Sequence, residues 1–89
     1  MPQVKIPPPY QGPTGGLSRV AVEGGTVLEC IDAVGAQFPG FREQVIDSQG
    51  AVHRFVKLFV NGDEIDRSAV DTVVAPDDEV EVLAAVAGG

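Results

Sequence analysis

Apolar positions along the chain recur with two periods. Val4 and Ile6 flank Lys5, and from Leu17 to Val22 the residues Ser18, Val20 and Val22 oppose Leu17, Arg19 and Ala21; both stretches carry the period-two alternation of a strand. Pro7-Pro8-Pro9 stops the first, because proline has no N–H for the ladder. Gly24-Gly25 then turns the chain. Thr26 followed three residues later by Glu29 is a capping-box signature, and Val27, Cys30, Ile31, Val34 and Phe38 continue at helical spacing on one face. Pro39-Gly40 is expected to end that helix, with another short helical turn from Phe41 to Ile46 and a loop over Asp47-Ser48-Gln49-Gly50.

The strongest strand pattern is Arg54-Phe55-Val56-Lys57-Leu58-Phe59-Val60, rich in β-branched and aromatic residues and followed by Asn61-Gly62, the favoured chemistry of a tight hairpin turn. Alternation places Val56, Leu58 and Val60 on one face and Phe55, Lys57 and Phe59 on the other. If one helix covers the sheet, the second set stays open and Phe55 and Phe59 form a docking surface for a partner; otherwise a loop or the N-terminal proline segment covers them. Pro76-Asp77-Asp78 makes a turn into a last strand, Glu79 to Leu83, with Val80 and Val82 inward and glutamates outward. The order is β-β-α-β-β, with no internal repeat and no linker.

Eighty-nine residues hold one small domain and no second core. The start, Met1 to Lys5, lacks the basic and apolar regions of a secretory signal, so a cytoplasmic location is expected. The single cysteine, which cannot form an internal disulfide, agrees with that compartment. Six basic against thirteen acidic residues give a net charge of -7, which repels nucleic acid and anionic membranes and favours a basic protein partner.

Catalytic chemistry has little to build on. One His53 and one Cys30 supply neither a zinc site nor an iron-sulfur site, and Cys30 falls on the apolar stripe of the helix. His53 stands at a strand entrance with no nucleophile beside it in sequence. Gln11-Gly12-Pro13-Thr14-Gly15-Gly16 is glycine-rich, but it lacks the Gly-Lys-Ser/Thr ending of a phosphate loop and leads into a strand, so it reads as a connection. The distinctive group is at the end, where Ala84-Ala85-Val86-Ala87-Gly88-Gly89 shrinks to two glycines. Residues without Cβ atoms thread slots too narrow for a side chain, and six extended residues reach roughly 20 Å, far enough to carry the Gly89 carboxylate into another protein's active site. The alternative at this point is an ordinary frayed terminus. A carboxylate is a poor acyl donor at neutral pH and needs activation, for which this chain has no nucleotide site of its own.

In this element order, with a capped central helix and a terminal Gly-Gly, the chain resembles the β-grasp sulfur carriers of the MoaD/ThiS family, which are related to ubiquitin. The likeness runs over essentially the whole length, as a single domain 1–89 with its tail at 84–89. It is strongest toward the cysteine-biosynthetic carriers, through His53-Arg54-Phe55-Val56, Val60-Asn61 and Ala85-Val86-Ala87-Gly88-Gly89. The resemblance implies an α+β, ubiquitin-like fold, with a mixed sheet packed on one main helix and a flexible Gly-Gly tail. It also implies that the chain is no enzyme but a protein co-substrate that binds no cofactor itself. An E1-like adenylyltransferase using ATP and Mg²⁺ would adenylate Gly89, and a sulfur donor would displace AMP to leave a thiocarboxylate. The sulfur would pass to a biosynthetic enzyme, by first expectation a PLP-dependent cysteine synthase. Gly88, Ala87, Val86, Phe59 and Phe55 would contact the partners. The same resemblance leaves other roles open: the small subunit of molybdopterin synthase, a sulfur donor to another metabolite, and an ubiquitin-like protein modifier.

Overall fold

The computed structural model describes residues 1–84. The expected tail residues Ala85, Val86, Ala87, Gly88 and Gly89 lie outside the described residues.

Five strands and two helices are formed: β1 (Gln3–Lys5), β2 (Arg19–Ala21), α1 (Val27–Gln37), α2 (Pro39–Val45), β3 (Val56–Val60), β4 (Asp63–Ile65) and β5 (Glu79–Ala84). They make one mixed sheet in the order β2-β1-β5-β3-β4, in which only β1 and β5 run parallel. The α+β, β-grasp architecture expected from the sequence is present, with one strand more than the pattern predicted. That strand, β4, is three residues long and two of them are acidic, so it carries no readable alternation. The Asn61-Gly62 turn creates it by folding the chain back, with φ of 51° and 85° at its two central residues.

Alternation decides which face is buried. Val4, Val20, Val56, Leu58, Val80 and Val82 point into one core with Val27, Cys30, Ile31 and Val34 of α1 and with Phe41 and Val45 of α2. Removing a side chain the size of Leu or Phe from water contributes about 1.5–3 kcal/mol each, so this single cluster is the main source of stability.

The start of α1 shows why it begins where it does. Thr26 Oγ1 accepts from Glu29 N at 3.2 Å, while Glu29 Oε1 accepts from Gly25 N at 2.7 Å. The two preceding free donors are used as well: Val27 N donates to Thr72 O at 3.0 Å and Leu28 N to Val70 O at 2.9 Å. The N–H groups of Val27, Leu28 and Glu29, which an isolated helix would leave bare, therefore all have partners, and the segment around 70–74 is stitched to the helix by two of these bonds.

Pro39-Gly40 ends α1 as expected, and Pro39 also opens α2. At the first position of a helix its missing N–H costs nothing and its fixed φ suits the helical turn. The two helices meet at Gly35, which is buried; a Cβ there would stand 2.7 Å from Arg42 Cβ. No helix among the described residues is long and apolar enough to cross a membrane.

Gly35→Ala tests the helix–helix contact. Alanine gains about 1 kcal/mol of helix propensity but forces α2 away, at a cost of about 1–3 kcal/mol. Urea unfolding is expected to show a lowered midpoint, and a midpoint equal to or above that of the parent protein would mean that α2 yields freely.

Candidate functional site

The strand that leads to Gly-Gly is held from both sides. Glu79, Val80 and Glu81 pair with Gln3, Val4 and Lys5, and Val80 to Ala84 pair with Val60 to Val56. Its start is clasped by the hairpin turn: Asn61 N donates to Glu79 O at 2.8 Å, Asn61 Oδ1 accepts from Glu79 N at 2.9 Å, and Asn61 Nδ2 donates to Asp78 Oδ1 at 2.9 Å. Asp78 in turn accepts from Ala75 N at 2.8 Å, closing the turn that feeds β5. Asn61 holds its positive φ of 51° because it forms these bonds. At the other end of the strand Ala84 stands opposite Val56, fixing the point from which the tail departs.

The face of the sheet away from the helices is a surface of mixed chemistry. Strand registers align a row of Arg19, Lys5, Glu81, Phe59 and Glu64 across all five strands. Ala21, Gln3 and Glu79 form a second row, and Leu83 lies beside Lys57. Arg19 also reaches Glu79 at 3.0 Å. The charges on this face, Lys5, Arg19 and Lys57 against Glu64, Glu79 and Glu81, cancel. The whole net charge of -7 thus falls outside this face. Half-buried Phe59 and Leu83 are the apolar elements of a neutral face on an acidic protein.

Of the two predicted docking aromatics, Phe59 is on this face, in β3. Phe55 is not in a strand: β3 begins at Val56, and Phe55 sits in the preceding turn, 43% exposed, stacked on His53 with ring centroids 5.0 Å apart and planes 16° from parallel. Neither aromatic is enclosed by the proline segment. Leu83 and the cross-sheet row of Lys5, Arg19 and Glu81 went unread in the sequence. Their alternation was visible, but that the last strand lies between the first and third was not.

Other candidate groups stay structural. Cys30 is fully buried, and burial, aided by nearby Glu29, raises its thiol above the ordinary range, which makes it a poor nucleophile. In the glycine-rich loop, Thr14 is buried with Oγ1 at 3.0 Å from both the Gln11 and Leu17 carbonyls, so its hydroxyl closes the loop on itself. Among the described residues no group of three His, Cys, Asp or Glu side chains is placed to hold a metal ion.

Comparison with known proteins agrees with this geometry. The model of the ThiS family matches residues 10–89. The sulfur carrier protein CysO of Mycobacterium tuberculosis is 37% identical over 89 residues, covering 97% of this chain and 96% of that protein. A chain in the crystal structure of the Amycolatopsis orientalis BexX/CysO complex superposes with a TM-score of 0.89 at 33% identity, with both chains covered completely. The small archaeal modifier SAMP1 of Haloferax volcanii, at 23% identity and a TM-score of 0.79 over 99% of this chain and 98% of that one, shares the fold.

The clasp at Asp78 gives a pH dependence. The hydrogen bond from the Asn61 side chain, and then that from Ala75 N, hold the Asp78 carboxyl below its ordinary value of 3.8. A depressed folded-state value means that its contribution is complete above the unfolded-state value and is lost as pH falls through the folded one. Asp78→Asn is expected to flatten the decline of stability below about pH 4, read as denaturant midpoints across the acid range. An unchanged acid limb would remove the clasp as its source.

Proposed function

This chain belongs to the ThiS family, and from that premise we propose that it is a sulfur carrier whose Gly89 carboxylate is the reacting group. The observation that carries the proposal is the union of the 37% identity to a sulfur carrier over nearly the full length with a β5 held on both edges at Glu79 to Glu81 and by β3 from there to Ala84, the residue that leads to the Gly-Gly end.

The chemistry follows from what a carboxylate lacks. An oxygen of Gly89 attacks the α-phosphorus of ATP in an E1-like adenylyltransferase, pyrophosphate leaves, and the carboxylate becomes an acyl adenylate. Hydrosulfide then attacks the acyl carbon, its C–S bond forming as the C–O bond to AMP breaks, and loss of the sulfur-borne proton to solvent leaves a thiocarboxylate. The partner supplies the nucleotide and Mg²⁺ sites; this chain supplies a terminus narrow enough to enter them and a surface to hold it there. The neutral sheet face with Phe59 and Leu83 is that surface, since burying it against a partner strands no net charge. Cysteine is the favoured product of the sulfur transfer because the curated relative is CysO, and a PLP-dependent synthase is then the acceptor enzyme.

Intact-mass measurement after incubation with ATP, the adenylyltransferase and a sulfide source should show one oxygen of the chain replaced by sulfur, and one residue added after Gly89 should abolish the exchange. Stable high-mass adducts in a denaturing pull-down would instead mark a protein modifier. Phe59→Ala is expected to raise the KM for adenylation roughly tenfold while unfolding at nearly the parent midpoint, as loss of an aromatic anchor at an interface does. Equal adenylation kinetics for the two proteins would take the sheet face out of partner recognition.

A further inference from the structure

We propose that the flank beside β4 is a second docking site, which takes a polypeptide segment carrying an apolar side chain next to acidic ones. Two adjoining depressions make up this flank. One is a groove of about 420 Å³ over Val56 and Ile65, with Arg54, Lys57 and Arg67 around it. The other is a smaller cavity of about 270 Å³ walled by Leu28, Ile46, Val52 and Val70, with Ala51 at its exposed side. Arg67 and Ser68 line both, so a cationic groove runs directly into an apolar hole.

The placement of charge is what singles out this flank. Of the six basic residues, Arg19 is bridged to Glu79, Arg42 to Asp32 at 2.9 Å, and Lys5 stands in register with Glu81. The other three, Arg54, Lys57 and Arg67, gather at the groove and form no ion pair among the described residues. Two carboxylates share the lining. Glu64 lies in the cross-sheet row opposite Phe59, and Asp66 is engaged by its own turn, with Ser68 N at 2.8 Å and Ser68 Oγ at 2.6 Å. Apart from the neutral sheet face, the rest of the surface is dominated by acids. With a screening length of about 8 Å at physiological salt, an acidic segment meets net attraction at this groove and repulsion over the rest of the helical side.

The cavity specifies the remaining part of the ligand. Its volume is below the roughly 300–1,000 Å³ of sites that enclose small metabolites, and it suits one aliphatic or aromatic side chain inserted from a longer chain. Its walls are firm because Leu28 and Val70 are joined by the backbone bond from Leu28 N to Val70 O, and Ile46 pairs with Val52 in an isolated β-bridge. A peptide presenting an apolar residue beside carboxylates therefore satisfies both halves at once. Lys57 and Glu64 border both this groove and the sheet face, but Phe59 does not line it, so peptide binding here is read without the sulfur chemistry.

Selection of a random short-peptide display library on the intact protein tests this. Enriched peptides are expected to combine an apolar residue with adjacent Asp or Glu. The best of them, resynthesised, should bind Arg67→Glu roughly tenfold or more weakly, as truncated charge pairs at interfaces do, and Ala51→Trp more weakly still. Arg42→Glu, which changes net charge equally but lies off the groove, should bind it as the parent does. Absence of enrichment, enriched peptides without acids, or binding that survives Arg67→Glu would each overturn the proposal. Arg67 is exposed, so that variant remains informative even where the tryptophan variant folds poorly.

Discussion

Everything in this molecule hangs on the double pairing of β5. Parallel to β1 over Glu79 to Glu81 and antiparallel to β3 from Val80 to Ala84, it joins the two halves of the sheet, and its Val80 and Val82 are fully buried beneath the helices. Pairing on both edges fixes Glu79 to Glu81, and pairing with β3 alone then carries the strand on to Ala84, opposite Val56. The Asn61–Asp78 clasp fixes the other end of the same strand. Pairing and clasp together are the mounting of the last strand.

The mounting also sorts the surface. Because β5 lies between β1 and β3, its outward Glu81 falls between Lys5 and Phe59 and its Glu79 beside Gln3, within reach of Arg19. A pronounced acidic excess is thereby kept off one face without lowering the acid content of the chain. Repulsive charge and its local cancellation thus lie on different faces of one small domain.

Much of this was legible in the residue order. The capping box at Thr26 and Glu29, the apolar stripe of α1, the alternation from Val56 to Val60 and the Asn61-Gly62 turn are local signals, and local signals survive into the structure. The family likeness lay in the same elements together with the Gly-Gly end. What the sequence left out was non-local. β4 is too short and too acidic to announce itself, and it exists only because a turn returns the chain to β3. The start of β3 was read two residues early because the turn that stacks Phe55 on His53 continues the strand alternation. The neutral face required knowing which strands are neighbours, information that no single segment carries.

The position of β5 has a consequence for synthesis. The β1–β2 hairpin and the β3–β4 hairpin are each made of neighbouring segments, but the strand that joins them into one sheet is the last of the five to emerge from the ribosome. Until it arrives there is no continuous sheet for α1 and α2 to cover, and the long-range parallel pairing with β1 comes last. A nascent or truncated chain that stops short of residue 79 is thus an open form, exposed to chaperones and proteases. The topology works as a length check, in that only a chain made through β5 closes the sheet.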